Sequence, residues 1–344
     1  MLNVNGHKNF TSCGDKEAES LLEKVLSEMK GSLSGTGLCV VLGGSYGRGD
    51  GGVRLDRENG ILYNDLDFFV FARKKCDNAE VLLKEIAGKY EKELKVDVDF
   101  SRIMSIKDIK NNAERLMMQE LKRGYVPVCG ADLLAEYLPE IPSEKLPFSE
   151  ACRLLLNRGM GLFLAGEKLS RGSVDMDFIL RNMYKCILGT GDAMLIAAGQ
   201  YRWKLQERLE YIGKMDIPEE WKLLYREGVL FKCSPHRRKK EDMISFWNSV
   251  RDFYREGMLR CAGVTEKEKL KEALYIRCCK NGEISLKNYM KYCIKTRTLP
   301  LAAGKIFTVP AVVAILPELY AALDCMPEEI DRTGRLFRHW QIFN

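Results

Sequence analysis

Apolar positions in the first part of the chain alternate between helical spacing and short strand-like runs. An apolar face of helical period predicts a helix at 15–30. A five-residue apolar run between glycines predicts a buried strand at Leu38–Leu42. Further elements follow the same logic, with strands at 61–72 and 95–103 and helices at 78–94 and 106–123. Strands and helices in alternation predict a mixed α/β domain.

The second part of the chain carries helical patterns alone, and a proline cluster (Pro139, Pro142, Pro147) precedes it. Ser149 is the expected N-cap of the first of these helices. The predicted helices cover 149–170, 174–199 (with a break near the glycines at 189 and 191), 201–214, 219–227, 241–261, 266–280 and 285–297. We therefore expect an α+β protein with two domains: a mixed sheet flanked by helices at 1–148, and an all-helical domain at 149–344.

Charge and cysteine usage narrow the classes of function. The chain has 344 residues with 54 Lys and Arg against 48 Asp and Glu, a net charge of +6, which does not indicate a polybasic binder. None of the twelve cysteines forms a C-x-x-C pair, so we expect reduced, mostly buried thiols and no zinc ribbon. The start lacks an apolar signal region, and Pro310 and Pro317 interrupt the most apolar stretch. These features predict a cytoplasmic protein without a membrane span.

A glycine-dense turn follows the predicted strand at Leu38–Leu42. Glycines let the backbone approach a ligand closely, and successive N–H groups in such a turn can bind an anion. Gly44 and Ser45 would supply these donors, and Arg48 adds a cation suited to phosphate. The turn is therefore a candidate triphosphate site.

Two pairs of aspartates lie on the next two predicted strands. Asp65 and Asp67 alternate with apolar residues, so both project to one face, and Asp97 and Asp99 do the same. Carboxylates that crowd one face repel each other, and a divalent cation with a preference for oxygen ligands, Mg²⁺ or Mn²⁺, would relieve this repulsion. Three such carboxylates are what a two-metal site needs.

Three features in this order resemble the nucleotidyltransferase superfamily. They are an apolar strand ending in Gly44-Ser45, then Asp65-x-Asp67, and then Asp97 within an apolar strand. This superfamily includes DNA polymerase beta, poly(A) polymerases and aminoglycoside nucleotidyltransferases. The resemblance covers about residues 35–105 and implies a nucleotidyltransferase-type sheet at 1–148. It implies that Asp65, Asp67 and Asp97 bind two Mg²⁺ or Mn²⁺ ions, with Asp99 as the alternative third ligand. The helical domain would then close the site and select the acceptor.

The implied reaction moves a nucleoside monophosphate from a nucleoside triphosphate such as ATP to a hydroxyl, with release of pyrophosphate. The modest net charge favours a small-molecule acceptor over nucleic acid. Alternatives are a catalytically silent binding or regulatory module of the same fold, a nucleotide-signal synthase, and a tRNA-directed nucleotidyltransferase. The basic run His236–Lys240 is another candidate contact for triphosphate or nucleic acid, although such runs are usually solvated.

Three other motifs have weaker support. The glycines at 47, 49 and 52 match a dinucleotide-binding pattern, and Ser45 between glycines matches a hydrolase elbow. Both motifs require a helix directly afterwards, and a polar stretch follows instead. A second Asp-x-Asp, at Asp175 and Asp177, opens a predicted helix, where acidic residues are expected from the helix dipole alone.

Overall fold

The structure is a computed structural model that describes residues 9–54, 60–74, 79–173, 175–236, 238–283, 290, 294, 311–324 and 335–343. The chain divides into two compact units. Unit 1 comprises residues 1–141 and 230–237, and unit 2 comprises 142–229 and 238–344. The architecture is mixed α/β, with many helices and one small mixed sheet of five strands in the described residues.

Unit 1 alternates helices and strands along the chain. Its elements are α1 (Lys16–Ser32), β1 (Leu38–Leu42), α2 (Gly44–Gly47), β2 (Leu66–Ala72), α3 (Ala79–Leu94), β3 (Val98–Phe100), β4 (Met104–Ser105), α4 (Ile106–Asn111), α5 (Leu116–Arg123), β5 (Val126–Cys129) and α6 (Leu133–Tyr137). The strand order is β3-β2-β1-β5, and β4 also pairs with β2. Strand β1 runs antiparallel to β2 and β5, whereas β3 and β4 run parallel to β2.

Both faces of this sheet are covered, because successive side chains of each strand point to opposite sides. Val40 and Phe68 lie on one face, in a buried cluster with residues of α1 and α3. Val41 and Phe71 lie on the other face, in a cluster with residues of α4, α5 and α6. Asp67 shares this second face by alternation.

Several boundaries in unit 1 differ from those expected. Strand β2 begins at Leu66 and not at residue 61, so Asp65 directly precedes the strand. The helix expected at 106–123 is two helices, α4 and α5. The polar stretch after the glycine turn closes through an antiparallel bridge between Val53 and Leu62, and residues 55–59 lie outside the described part.

Unit 2 contains only helices among its described residues. They are α7 (Phe148–Ser170), α8 (Met176–Ala197), α9 (Leu205–Lys214), α10 (Glu219–Cys233, whose last residues belong to unit 1), α11 (Met243–Ala262), α12 (Leu270–Lys280), α13 (Ala311–Ala322) and α14 (Arg335–Phe343), with 3-10 turns at Ser143–Lys145, Lys240–Asp242 and Lys267–Lys269. Helix α7 packs against α8, α11 and α13. The hydroxyl of Tyr254, buried in this unit, donates to the carbonyl of Leu155 at 2.8 Å.

Three of the expected helix features either differ from the structure or lie outside the described residues. The N-cap of α7 is Pro147, so Ser149 lies in the first turn and does not cap the helix. Helix α8 continues through Gly189 and Gly191 without a break. The helix expected at 285–297 lies outside the described residues except for Met290 and Ile294.

All nine cysteines in the described residues are free, and five of them are buried. The described helices include none with the length and apolar character needed to span a bilayer.

Candidate active site

The register between β2 and β3 brings the four aspartates together. Asp67 lies directly opposite Asp99 in this parallel pair. One position earlier, the N–H of Leu66 donates to the carbonyl of Asp97 at 2.9 Å, which aligns Asp97 with Asp65. Residues in register on parallel strands share a face, so the backbone places all four aspartates on one face of this strand pair. We call these four residues the aspartate array.

The glycine turn lies against this array. The N–H of Gly43 donates to the carbonyl of Asp67 at 2.8 Å. Gly44 has a φ of +60°, and a Cβ there would overlap Oδ2 of Asp67 and lie 2.9 Å from its Cγ. Glycine is therefore required both by the left-handed backbone and by the neighbouring carboxylate. Ser45 and the residues up to Gly47 form a single helical turn, which replaces the open nest expected from the sequence.

The carboxyl group of Asp99 is affected by its surroundings and by neighbouring negative charges. Partial desolvation raises the pKa of the Asp99 carboxyl above its usual range, and the negative charges of Asp65, Asp97 and Glu91 raise it further. Asp97 and Asp99 are exposed, whereas Asp65 and Asp67 are half-buried. A divalent cation bound at the array would remove this repulsion.

No three His, Cys, Asp or Glu side chains in the described ranges are grouped so that they could hold a metal ion as they stand. The donor set nevertheless fits Mg²⁺ or Mn²⁺ in kind, because these cations prefer carboxylate oxygens. Neighbouring strands lie about 4.8 Å apart, so the backbone positions of Asp67 and Asp99 are close enough for both side chains to reach toward one cation. Gly44 leaves the space that the Asp67 carboxylate occupies.

Arg48, expected to bind the triphosphate, belongs to a network of charges beside the turn. Its guanidinium lies 3.6 Å from Oδ2 of Asp50 and 3.7 Å from Oε2 of Glu120. Nζ of Lys232 lies 3.0 Å from the same Asp50 oxygen. Lys232 could not be predicted as part of this network from the sequence, because it lies 182 residues from Asp50 in a helical segment. Residues 230–237 belong to unit 1, which brings Lys232 beside Asp50.

The segment that carries Lys232 is anchored within unit 1. The hydroxyl of Ser12 donates to the carbonyl of Cys233 at 3.0 Å. The ring of Phe231 meets Tyr63 edge-on, with centroids 5.8 Å apart. Lys232 is only 15% exposed, so its ammonium is held close to Asp50.

A groove of about 470 Å³ runs between α3 and the edge strand β3. Asp99 and Glu91 line it, together with the basic residues Lys84 and Arg102. Because the ladder to β2 uses backbone groups of residues 97 and 101, the N–H of Val98 points away from β2, and it donates to Glu91 at 3.4 Å. Asp99 thus belongs both to the aspartate array and to this groove.

The basic run at 236–240 is only partly described. Nδ1 of His236 lies 3.4 Å from the carbonyl of Ser234. Arg238 pairs with Glu227 and donates to the hydroxyl of Tyr184 at 3.0 Å. Residue Arg237 and the side chain of Lys240 lie outside the described part.

Comparisons of this chain with protein-family models, with curated proteins and with solved structures found no match. We therefore infer the function from the residues and their geometry.

Proposed function

We propose that the protein is a metal-dependent nucleotidyltransferase. It would move a nucleoside monophosphate from a nucleoside triphosphate to a hydroxyl of a small acceptor and release pyrophosphate. The observation that carries this proposal is the register of Asp67 with Asp99 next to Gly44, because it aligns the backbone of the four aspartates beside the Gly-Ser turn. In this proposal unit 1 has a nucleotidyltransferase-type fold, and the helical unit 2 selects the acceptor.

Asp65, Asp67 and Asp97 are the proposed metal ligands, with Asp99 as the alternative to Asp97. Two bound Mg²⁺ or Mn²⁺ ions would activate the acceptor hydroxyl and neutralise the leaving pyrophosphate. The half-buried Asp67 is fixed through the Gly43 hydrogen bond to its carbonyl. The exposed Asp97, beside Asp65, has room to accept a proton from an incoming hydroxyl.

The turn at Gly44 and Ser45 would bind the triphosphate together with Arg48 and Lys232. Both cations lie near one carboxylate, Asp50. Phosphate oxygens carry more negative charge than one carboxylate, so they would compete with Asp50 for these cations. The turn, Arg48 and Lys232 would then hold the phosphates in a fixed orientation. Such orientation and charge stabilisation supply most of the catalysis in this type of reaction.

The groove beside Asp99 is the proposed path for the acceptor. Its volume of about 470 Å³ lies in the range of small-molecule pockets. Asp99, Glu91 and Glu80 outnumber the two basic residues that line it, which favours a neutral or cationic acceptor over a polyanion.

The test is incubation of the protein with each labelled ribonucleoside triphosphate, Mg²⁺ or Mn²⁺, and a panel of hydroxyl compounds, followed by measurement of pyrophosphate and labelled product. Asp67→Asn is expected to abolish metal-dependent release. Asp177→Asn is the matched control, since it alters an Asp-x-Asp at the start of α8, and it should behave like the wild type. Equal activity in both variants would contradict the proposal.

A further inference from the structure

A buried tyrosine connects the phosphate turn to the residues that lead into Asp65. Tyr46 follows Ser45 within α2 and is 1% exposed. Its hydroxyl donates to the carbonyl of Gly52 at 2.8 Å. The same oxygen accepts from the N–H of Tyr63 at 3.0 Å and from the N–H of Asn64 at 3.2 Å. One hydroxyl thus satisfies three backbone groups from two separate segments.

A second contact joins the same two segments. Oδ1 of Asn64 accepts from the N–H of Gly52 at 2.7 Å. Residues 63 and 64 lie outside any strand. The N–H of Tyr63 also donates to the carbonyl of Gly52 at 3.2 Å, so the Tyr46 hydroxyl and the Gly52 segment together hold the backbone immediately before Asp65. Phenylalanine would fill the same space as Tyr46 but could not make these bonds, so the hydroxyl has a role beyond packing.

We propose that Tyr46 is a positioning residue, which fixes the Asp65 carboxylate relative to the Gly44-Ser45 turn through the backbone of residues 63 and 64. This inference rests on the proposed function. The distance between a metal ligand and a phosphate-binding turn determines whether reacting groups are aligned, and a displacement of about 1 Å can cost roughly 100-fold in rate. Burial raises the pKa of the Tyr46 hydroxyl, so this group stays protonated and remains a donor to Gly52.

The test compares Tyr46→Phe with Tyr254→Phe. Tyr254 is also fully buried, and its hydroxyl also donates to a backbone carbonyl, but it lies in unit 2. Three quantities are measured: kcat and KM for the triphosphate, Mn²⁺ affinity by titration, and hydrogen exchange of the amides of Tyr63 and Asn64. Asn64→Ala is a second variant that removes only the bond to Gly52, in case Tyr46→Phe folds poorly.

We expect Tyr46→Phe to lower kcat about 100-fold with little change in KM, to weaken Mn²⁺ binding, and to speed exchange of the two amides. Asn64→Ala should change kcat in the same direction by a smaller factor, and Tyr254→Phe should leave all three quantities at the wild-type value. Equal kcat in Tyr46→Phe and Tyr254→Phe would overturn the positioning role alone. Loss of stability in Tyr46→Phe with unchanged kcat and Mn²⁺ affinity would also overturn it. Absence of transfer in the wild-type protein would overturn the proposed function, and this inference with it.

Discussion

Replacement of Gly44 by alanine tests whether the glycine turn holds Asp67 in place. The new Cβ would lie 2.9 Å from Cγ of Asp67, whereas ordinary contact begins near 3.4 Å. The carboxyl carbon must therefore retreat by about 0.5 Å, and the overlapping oxygen by more, a displacement large enough to cost up to roughly 100-fold in transfer rate. The positive φ of +60° adds a backbone strain of about 1–2 kcal/mol to the folded state.

Gly35→Ala separates the two effects. Gly35 also has a positive φ, +76°, but a Cβ there meets nothing within 4 Å. Urea denaturation should show a loss of about 1–2 kcal/mol for Gly35→Ala and at least as much for Gly44→Ala, because both impose the left-handed backbone on alanine and Gly44→Ala adds the overlap with Asp67. Metal-dependent pyrophosphate release should fall in Gly44→Ala alone. If Gly44→Ala released pyrophosphate as fast as Gly35→Ala, the claimed coupling between the turn and Asp67 would be refuted.

The remaining predictions concern the third carboxylate and the phosphate cations. Asp97→Asn should reduce transfer at least about 100-fold, and Asp99→Asn should reduce it less; the reverse order in single-turnover rates would assign the third ligand to Asp99. Because the pKa of Asp99 is raised in the folded state, its protonated carboxyl favours folding at low pH. This contribution to stability is lost as the pH rises through that pKa and the carboxyl ionises. Asp99→Asn should therefore raise the free energy of unfolding at neutral pH without metal, and this gain should shrink towards about pH 4 in urea titrations. An equal gain at both pH values would contradict the charge argument. Lys232→Met should raise KM for the triphosphate, since it removes the cation 3.0 Å from Asp50, while Lys84→Met should not; equal KM values would exclude Lys232 from the phosphate site.

Sequence patterns predicted those elements of unit 1 that depend on neighbouring residues along the chain. The strand at Leu38–Leu42 was predicted with its observed bounds, because glycines flank a short apolar run. Strand β5 was not predicted, since Val126–Cys129 is short, contains Pro127 and is defined by pairing with β1 almost 90 residues earlier. Sequence spacing contains no information on such distant pairing.

In the candidate site, too, the features that depend on neighbouring residues were predicted, and the contacts between distant residues were not. The sequence predicted which aspartates share a face, because alternation along one strand is a local property. It did not predict that Asp67 pairs with Asp99, because the register of parallel strands depends on the intervening helix α3. Tyr46 appeared only as one residue of a glycine turn, and its three hydrogen bonds depend on the path of a segment 17 residues away.

The most direct test of the central claim is a titration of the wild-type protein with Mn²⁺ in the presence of a non-hydrolysable nucleoside triphosphate. We expect two Mn²⁺ ions per chain that bind only with the triphosphate, and fewer ions in Asp67→Asn but not in Asp177→Asn. Saturable binding that Asp67→Asn leaves unchanged would place the ions elsewhere. Absence of saturable binding in the wild-type protein would contradict the nucleotidyltransferase assignment and favour a silent module.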